Sequence, residues 1–418
     1  MALNIPENPF RPGAGQQPVY LAGREDEQEQ FRELLKQQPV LRNIIVTGLR
    51  GVGKTVLLET FKPIAQSEGW LWAGNDLSEI ASLTEERLLK RILVDLSTLL
   101  APIAVQHQQS LPMGFGRDEE KRDRPMQFDD LWQIYMDTAG LSDDKLKEVF
   151  RRVAQLLIGS KAKGIIFAYD EAQNLSDHAP EKEFPLSVLL DAFSWFQRQN
   201  FGCRFLLVLS GLPTLFPKLN EARTYTERMF HVMQLEQLDL IDAHAAIVKP
   251  IEIMKSPLTF APVVIDGIIR DSGGYPYFIQ FMCKEVFDAW ITRIQKGEAP
   301  SVPRELIVEK LDQNFFSPRW ERATDRQQDF MKVIATLENS DDEFTVQEIG
   351  TAAKELLKKG FSASMTNQML WALTEKGLVY RSRRGGYRFA VPMLSGFINR
   401  QSWNPATLRP RASFSTGH

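Results

Sequence analysis

The chain has 418 residues, of which 43% are hydrophobic and 25% are charged, and its formal net charge is −3. This length predicts two or three domains, and the composition excludes a wholly disordered chain and a coiled-coil rod. The longest apolar run (205–216) is interrupted and too short to span a bilayer, and the N-terminus shows no export signal. Together with Cys203 and Cys283 in apolar surroundings, this predicts a cytoplasmic protein with buried thiols and no membrane partner.

The small net charge conceals an uneven distribution. From Phe361 onward the sequence has eight basic residues and one acidic residue, a charge of +7, so the preceding 360 residues carry −10. A basic end joined to an acidic body is one way to build an anion-binding module, which makes nucleic acid a candidate partner.

The first half of the chain alternates apolar strands with amphipathic helices. After an arm rich in Pro and Gly (1–20), a helix begins near Glu25, a buried strand covers 43–48, and a helix from Lys54 ends near Pro63. The further predicted strands are 70–77, 165–169, 203–213 and 231–238, and the further helices are 83–101, 129–136, 143–157 and 186–199. This alternation predicts a three-layer α/β domain on a parallel sheet over residues 21–240. The polar stretch 107–127 is either a functional or a disordered loop.

The second half is predicted to be mainly helical. Residues 241–303 form an all-helical segment, and residues 304–400 have a different pattern. The elements predicted there are helices 324–337, 345–358 and 363–376 and strands 378–381 and 387–391. Three helices followed by a hairpin are the order of a winged helix. The tail 401–418 lacks apolar periodicity and is predicted to be disordered.

The stretch GLRGVGKT (48–55), hereafter the glycine loop, lies between a predicted strand and a predicted helix. Its glycines allow several backbone N–H groups to converge on one anion, and the following helix adds the positive end of its dipole. Lys54 is the expected partner of the β- and γ-phosphates, and Thr55 is the expected Mg²⁺ ligand. The alternative is a plain glycine turn, which this context disfavours. The predicted nucleotide-binding residues here are Gly48, Arg50, Gly51, Val52, Gly53, Lys54, Thr55 and Val56.

Two acidic residues follow the apolar run 165–169, at the carboxyl end of a predicted strand, where ligands of open α/β sheets bind. Asp170 is expected to hold Mg²⁺ through water, and Glu171 is the expected base that orients the attacking water. The alternative is that both acids only cap the next helix, and the glycine loop upstream makes this alternative the weaker one.

Two further polar residues are candidates for catalysis. Ser210 ends an apolar strand and either places its hydroxyl near the γ-phosphate or is merely a small residue before a turn. Arg228 ends a polar helix and is the predicted charge donor to the site of a neighbouring subunit, with Arg223 as its substitute. This role implies self-association.

Together these segments resemble an AAA+ ATPase, in the branch that includes the origin-recognition and replication-initiator ATPases and the related STAND-type NTPases. The matching segments are YLAGREDE, GLRGVGKT (Walker A), FAYDEAQNL (Walker B), LSGLP (sensor 1), ERMF (arginine-finger box) and GGYPY (lid). The resemblance implies ATP and Mg²⁺ as cofactors, and an adenine pocket lined by residues 19–24, among them Tyr20 and Arg24. It also implies that the segment 241–303 is a lid that closes over the nucleotide.

One departure from the family pattern concerns the lid. Where AAA+ lids begin a helix with a sensor-2 arginine, this sequence has Gly274, Tyr275 and Pro276. This turn is closer to the Gly-x-Pro turn of STAND proteins, and it makes Pro276 a candidate nucleotide contact. The segment DEAQNL also resembles the corresponding segment of ATPases that help select transposition targets or drive secretion.

The basic end has its own candidate interface. In a winged helix the third helix, here 362–376, enters a major groove while the hairpin contacts phosphates. Residues predicted to face the core are Met365, Met369, Leu370 and Leu373, and those predicted to face outward are Thr366, Asn367, Gln368 and Thr374. The expected DNA contacts are Asn367, Gln368 and the wing residues Arg381, Arg383 and Arg384. The alternative is a protein-binding module with a solvated basic hairpin.

Two functions from different classes are compatible with these observations. The first is an ATPase that couples its nucleotide state to the binding of double-stranded DNA by the winged helix and that self-associates through Arg228. The second is a STAND-type nucleotide switch, in regulation or defence, whose winged helix contacts a protein. The +7 end favours the first function, and the absent sensor-2 arginine favours the second.

Overall fold

The computed structural model describes residues 6–13, 15–102, 104–107, 122–158, 160–357, 360–382 and 385–401. The strands are β1 (Asn43–Gly48), β2 (Trp70–Ala73), β3 (Ala104–His107), β4 (Arg122–Pro125), β5 (Gly164–Tyr169), β6 (Arg204–Gly211), β7 (Phe230–Leu235), β8 (Val379–Arg381) and β9 (Tyr387–Phe389). The helices of the first half are α1 (Glu25–Leu35), α2 (Lys54–Ser67), α3 (Glu85–Leu100), α4 (Phe128–Asp137), α5 (Ser142–Leu157), α6 (Pro185–Gln197), α7 (Leu215–Ala222) and α8 (Thr226–Met229). Those of the second half are α9 (Leu240–Ile253), α10 (Pro262–Ser272), α11 (Pro276–Gln295), α12 (Arg304–Leu311), α13 (Ser317–Trp320), α14 (Asp325–Ala335), α15 (Val346–Leu357), α16 (Ala363–Glu375) and α17 (Leu394–Arg400).

Backbone contacts divide the chain into two compact units. The sheet unit comprises Gly23–Gly48 and Lys54–Leu235, and the helical unit comprises Met1–Ala22, Leu49–Gly53 and Glu236–His418. The domain limits predicted from the sequence, near residues 20, 240, 303 and 400, stay predictions.

The sheet unit is built on a parallel five-stranded sheet with the strand order β2-β5-β6-β1-β7. Strands β1 and β5 are buried along their whole length, as expected of a parallel sheet covered on both faces. Ile45, Phe167 and Leu207 belong to one hydrophobic cluster with α3, α5 and α6. Helix α2 contacts β1, β2 and β6 and stacks Phe61 on Phe31 of α1, with ring centroids 4.1 Å apart, outside that cluster. The predicted three-layer α/β fold is confirmed.

Two predicted element ends are wrong by four residues. Helix α2 does not end near Pro63 but continues to Ser67. Pro63 is exposed, and so is Glu59, whose carbonyl loses its helical donor, while Phe61 and Ala65 keep the same helix anchored in the core. Strand β2 ends at Ala73 rather than at residue 77, because the chain turns away at the next residue.

Gly74 explains the early end of β2. It has φ of 140°, and a Cβ at this position would lie 1.9 Å from the carbonyl oxygen of Ala168 in β5. Only glycine allows this close approach of two backbones. Beyond it, Asp76 forms an isolated parallel bridge with Asp170.

The polar stretch 107–127, predicted as a loop, contains β-structure at His107 and at Arg122–Pro125. Strands β3 and β4 pair in antiparallel fashion, with His107 opposite Arg122. Residues 108–121 lie outside the described residues, as do residues 402–418 of the predicted disordered tail.

The helical unit contains α9, α10 and α11 in the segment predicted to be all-helical. Helices α14, α15 and α16 are followed by the antiparallel pair β8 and β9, which is the order predicted for a winged helix. Phe344 adds a bridge to Tyr387 beside this pair. Phe287 of α11, Phe330 of α14 and Phe397 of α17 belong to one hydrophobic cluster, so these helices share a core.

The predicted N-terminal arm has no helix or strand over residues 6–13. Phe10 is 2% exposed and stacks on Phe260, with ring centroids 5.9 Å apart, while the Asn8 amide donates to Asp288 of α11. Within the helical unit, the arm is thereby held against α11 and Phe260.

Both cysteines are free and buried, which confirms the prediction of buried thiols. Burial raises the pKa of the Cys203 thiol to about 11 and that of Cys283 well above its ordinary value. Among the residues that the structure describes, no helix has the length and hydropathy needed to cross a membrane.

Candidate functional site

The carboxylate of Asp170 is the centre of the candidate nucleotide site. Asp170 directly follows β5 and is 3% exposed. It accepts hydrogen bonds from Thr55 Oγ1 at 2.5 Å, from Ser210 Oγ at 2.7 Å and from the backbone N–H of Glu171 at 2.8 Å. The hydroxyl of Ser210 is thus directed at Asp170, and both acid and hydroxyl are held in fixed orientations.

The topology of the sheet explains why these side chains meet. Strand β6 lies between β5 and β1, so the strands that lead to Asp170, Ser210 and the glycine loop are consecutive neighbours. Tyr169 pairs with Leu209, and Ser210 pairs with Val46. The carboxyl ends of three parallel strands therefore meet at one edge, where open α/β sheets bind ligands.

Glu171, the predicted base, adopts a left-handed backbone conformation with φ of 52°. This conformation is uncommon for a residue with a side chain, and such backbone strain is often found at functional sites. The amide of Gln173 donates to the Glu171 carboxylate. The Gln173 side-chain oxygen in turn accepts from the N–H of Leu212 at 2.9 Å, and its backbone carbonyl accepts from Lys218 at 2.9 Å. Gln173 therefore fixes Glu171 to the end of β6.

The glycine loop has the backbone expected of a curled turn. Gly51 and Gly53 have φ of 82° and 93°, a region that favours glycine. Lys54 Nζ donates to the carbonyl of Gly48 at 3.0 Å, and Val52 is 1% exposed. Both glycines are thus required by conformation.

A supporting network that the sequence did not reveal lies beside Asp170. Asp95 of α3 is 5% exposed and accepts from Arg91 Nη2 at 2.9 Å and from the Asn75 amide at 3.0 Å. The Asn75 carbonyl accepts from the N–H of Asp170 at 3.3 Å. Burial, together with the charges of Asp170 and Glu171, raises the pKa of neighbouring Asp76. Helix α3 thereby helps to place the acidic edge of the site.

The predicted adenine-pocket residues differ in their surroundings. Arg24 is 6% exposed, donates to the carbonyl of Gly23 at 2.8 Å and lies 3.9 Å from the Glu27 carboxylate. Tyr20 is partly buried against the core of the helical unit, which also contains Pro276 at the start of α11. Contact of these three residues with a nucleotide stays a prediction.

The two candidate arginines, Arg223 at the end of α7 and Arg228 in α8, differ in their contacts. Arg223 Nε donates to Asp191 at 2.9 Å, and its terminal nitrogens donate to the other Asp191 oxygen and, at 2.6 Å, to Ser187. Arg228 is exposed, and within the described part of the chain no acidic side chain lies in ion-pair distance of it. Arg228 is therefore the better candidate for reaching another subunit.

Helix α16 presents a polar face with one large aromatic residue. Asn367 and Gln368 are exposed, and Trp371 is 65% exposed at helical spacing from both. Trp371 is not among the residues predicted to face outward, because an aromatic residue at helical spacing is more often part of a core. The prediction that Thr366 faces outward is wrong: this residue is 1% exposed, and its hydroxyl has no hydrogen-bond partner among the residues that the structure describes.

Part of the basic charge at the C-terminal end is paired with acidic side chains. Arg388 lies 3.1 Å from Asp342, Arg400 lies 2.5 Å from Asp312, and Lys376 donates to Gln327 at 2.7 Å. Arg381 is exposed. The predicted wing contacts Arg383 and Arg384 lie outside the described residues.

Comparison with known proteins agrees with this geometry. Residues 20–200 match the AAA ATPase domain family, and residues 313–398 match a domain family of unknown function. No curated protein sequence matches the chain.

The chain is similar to a solved Walker-type ATPase of Pyrococcus abyssi, with 16% identity, a TM-score of 0.58, and coverage of 91% of this chain and 96% of that chain. It is also similar to the ORC2 protein of Aeropyrum pernix in its ADP form, with 14% identity, a TM-score of 0.54, and coverage of 93% and 97%. At these identities the likeness concerns the fold. The chain thus has the fold of an AAA+ P-loop ATPase, its residues 20–200 match the AAA ATPase domain family, and the predicted resemblance to AAA+ ATPases of the origin-recognition branch is confirmed for the fold.

The ion pair of Arg223 predicts a pH-dependent stability. Burial alone would raise the pKa of Asp191, but hydrogen bonds from Arg223 and Tyr225 bring this pKa below its ordinary value of 3.8. A lowered folded-state pKa means that Asp191 stabilises the fold above its ordinary pKa and that this stabilisation is lost as pH falls through the lowered value. Asp191→Asn should lower the free energy of unfolding by about 1 kcal/mol at pH 7.

Thermal unfolding of both proteins between pH 3 and pH 7 would measure this difference, which we expect to shrink as the pH falls below 3.8. Glu29→Gln is the control, since its ion pair with Arg32 is exposed. A difference for Asp191→Asn that stays constant with pH would contradict the assignment.

Proposed function

We propose that the chain binds ATP with Mg²⁺ at the glycine loop and hydrolyses it. The single observation that carries this proposal is the contact of Thr55 with the buried carboxylate of Asp170. Thr55 is the last residue of the glycine loop, in which Gly51 and Gly53 have left-handed backbones. The AAA ATPase domain match and the similarity to the ADP form of the Aeropyrum pernix ORC2 protein support it.

The residues present suit a hard divalent cation. Thr55 and Asp170 offer a hydroxyl and a carboxylate oxygen 2.5 Å apart, and Mg²⁺ usually takes one or two protein oxygens, keeping its other positions for water and phosphate. When bound, the metal would supply charge neutralisation at the β- and γ-phosphates. Ser210, whose hydroxyl donates to Asp170, orients the carboxylate for this task.

The other residues act on the phosphates and on water. Lys54 would exchange its hydrogen bond to the Gly48 carbonyl for the β- and γ-phosphates. Glu171 would accept a proton from the attacking water or orient it. Because Gln173 donates to the Glu171 carboxylate, the base is held at the end of β6 and needs little reorganisation.

The matched pair Glu171→Gln and Lys54→Ala separates hydrolysis from binding. Glu171→Gln keeps the size and the hydrogen bonding of the side chain, so ATP should still bind while kcat falls about 100-fold or more. Lys54→Ala removes the phosphate partner and should weaken ATP binding at least about tenfold. Calorimetry with Mg-ATP and a phosphate-release assay would measure both, and normal turnover by Glu171→Gln would rule out its role as the base.

The subunits would share sites through Arg228. Its guanidinium is exposed on the sheet unit, whereas Arg223 is committed to Asp191 and Ser187. An arginine supplied by a neighbouring subunit stabilises the charge that develops in phosphoryl transfer.

Arg228→Ala should lower kcat about 1000-fold while ATP binding persists, because a residue that acts in trans contributes to the transition state. Adding the Lys54→Ala protein, which retains Arg228, should restore turnover to Arg228→Ala. Steady-state rates of the separate and mixed proteins are the measurement. Failure of the mixture to recover activity would contradict action between subunits.

We also propose that α16 and the β8–β9 hairpin bind double-stranded DNA and that the nucleotide state sets this binding. Asn367 and Gln368 offer amides that pair well with adenine edges in a major groove, and exposed Arg381 suits a phosphate. The +7 charge of the sequence from Phe361 onward supports this assignment.

Salt dependence tests this interface. Arg381→Ala should reduce the slope of log affinity against log salt by about 0.9, since one phosphate contact is lost. Arg293→Ala removes the same charge from the exposed end of α11 and should leave the slope unchanged. Fluorescence anisotropy with duplex DNA at three or more salt concentrations would give both slopes, and equal slopes for all three proteins would contradict the proposal.

One observation favours a second candidate, a nucleotide switch whose C-terminal region binds a protein. Trp371 is 65% exposed, which is typical of protein-binding surfaces, and Arg388 and Arg400 are already ion-paired. Under this alternative, duplex DNA would bind weakly and without dependence on Arg381.

A further inference from the structure

The first turn of α11 lies directly against the glycine loop within the helical unit. The backbone N–H of Tyr277 donates to the carbonyl of Gly51 at 3.1 Å. A Cβ built on Gly51 would lie 3.1 Å from Cβ of Tyr277, tighter than ordinary van der Waals contact. Gly51 is therefore required by its neighbour as well as by its φ of 82°.

This contact also determines how α11 begins. The first N–H groups of a helix have no partner within the helix and need one elsewhere. Tyr275, which precedes the helix, makes no side-chain capping bond, and Pro276 at the first helical position has no N–H. Tyr277 is the next donor, and the glycine loop satisfies it. The orientation of the Gly51 peptide and the start of α11 thus depend on each other.

The ring of Tyr277 continues this contact toward the C-terminal elements. It stacks on Phe315, with ring centroids 5.0 Å apart and planes inclined by 28°. Phe315 lies in the π-helical turn between α12 and α13, and π turns are frequent at functional sites. Arg319 covers the Phe315 ring at 4.0 Å and donates to the Phe315 carbonyl. Neighbouring Phe316 stacks on Phe397 of α17 at 5.4 Å.

We infer that Tyr277 is a positioning residue for the glycine loop and that it transmits nucleotide occupancy through Phe315 to the π turn and the C-terminal elements. This inference rests on the proposed binding of ATP. The proposed route connects the glycine loop with the C-terminal elements through Tyr277 and Phe315. It involves neither the proposed Mg²⁺ ligands nor the proposed DNA contacts.

The physical basis is the orientation of one peptide group. A phosphate bound by the loop draws the backbone N–H groups inward and holds the carbonyls on the outer side. The Gly51 carbonyl is then fixed toward the Tyr277 N–H, and the Tyr277 ring is held on Phe315. Without phosphate the Gly51 peptide is freer to turn, which weakens the start of α11. By linkage, a ligand that favours the stacked arrangement tightens nucleotide binding by the same factor by which the nucleotide tightens the binding of that ligand.

Hydrogen exchange of residues 312–320, with and without Mg-ATP analogue, tests the inference in the full chain. Nucleotide should slow exchange in this segment in the wild type and in Tyr277→Phe, which keeps the ring. Tyr277→Ala and Phe315→Leu should lose this response and bind nucleotide roughly two- to tenfold more weakly. Phe260→Leu is the matched control, because Phe260 is as deeply buried in the same core but packs on Phe10 and Trp290. Calorimetry on the same samples reports binding.

The outcomes separate the inference from the function on which it rests. Absence of nucleotide binding by the wild type would overturn both. Binding without slower exchange at residues 312–320, or an unchanged response in Phe315→Leu, would overturn the inference alone. Loss of the response in Phe260→Leu as well would also overturn it, since the effect would then belong to the whole core. Thermal unfolding of each variant confirms that the fold is retained.

Discussion

Three hydrogen bonds converge on the carboxylate of Asp170, from Thr55, from Ser210 and from the backbone of Glu171. These bonds connect the carboxyl ends of β5, β6 and β1, the last of them through Thr55. The order of the strands in the sheet therefore determines the geometry of the site. A slip of one residue in the register of β6 would turn Ser210 to the other face and leave the buried acid short of a donor. The buried acid depends on the neighbouring strands for its hydrogen-bond donors, and the sheet determines where the acid lies.

Features of the site that depend on local sequence could be predicted. The apolar runs before Gly48 and Asp170 predict buried strands, and the glycines and Thr55 follow at the spacing of a phosphate loop. Features that depend on distant residues could not. The role of Gln173 depends on its hydrogen bond with Leu212, and the need for glycine at residue 51 depends on its contact with Tyr277. Neither pairing leaves a local pattern in the sequence. Pro63 misled the prediction of α2 because a proline on the exposed side of a packed helix is tolerated.

The C-terminal region shows the same limit for helix faces and for charge. Thr366 and Met365 are adjacent in sequence. The greater hydrophobicity of methionine predicts Met365 as the core residue, yet Thr366 is the buried one, with an exposure of 1%. The count of basic residues does not reveal that Arg388 meets Asp342 and that Arg400 meets Asp312. Both pairs join the region to acids of the preceding sequence, so the effective positive charge of the described C-terminal region is smaller than the formal charge indicates.

Gly74 sets the spacing between β2 and β5 on the acidic side of the sheet. The hydrogen that stands in place of a side chain at Gly74 occupies the position where a methyl group would meet the carbonyl of Ala168, two residues before Asp170. Any larger side chain would wedge the edge strand outward and carry Asp76 away from its bridge with Asp170. A mutational scan would therefore find residue 74 intolerant to substitution and suggest a role in chemistry, although its contribution is that of a steric spacer.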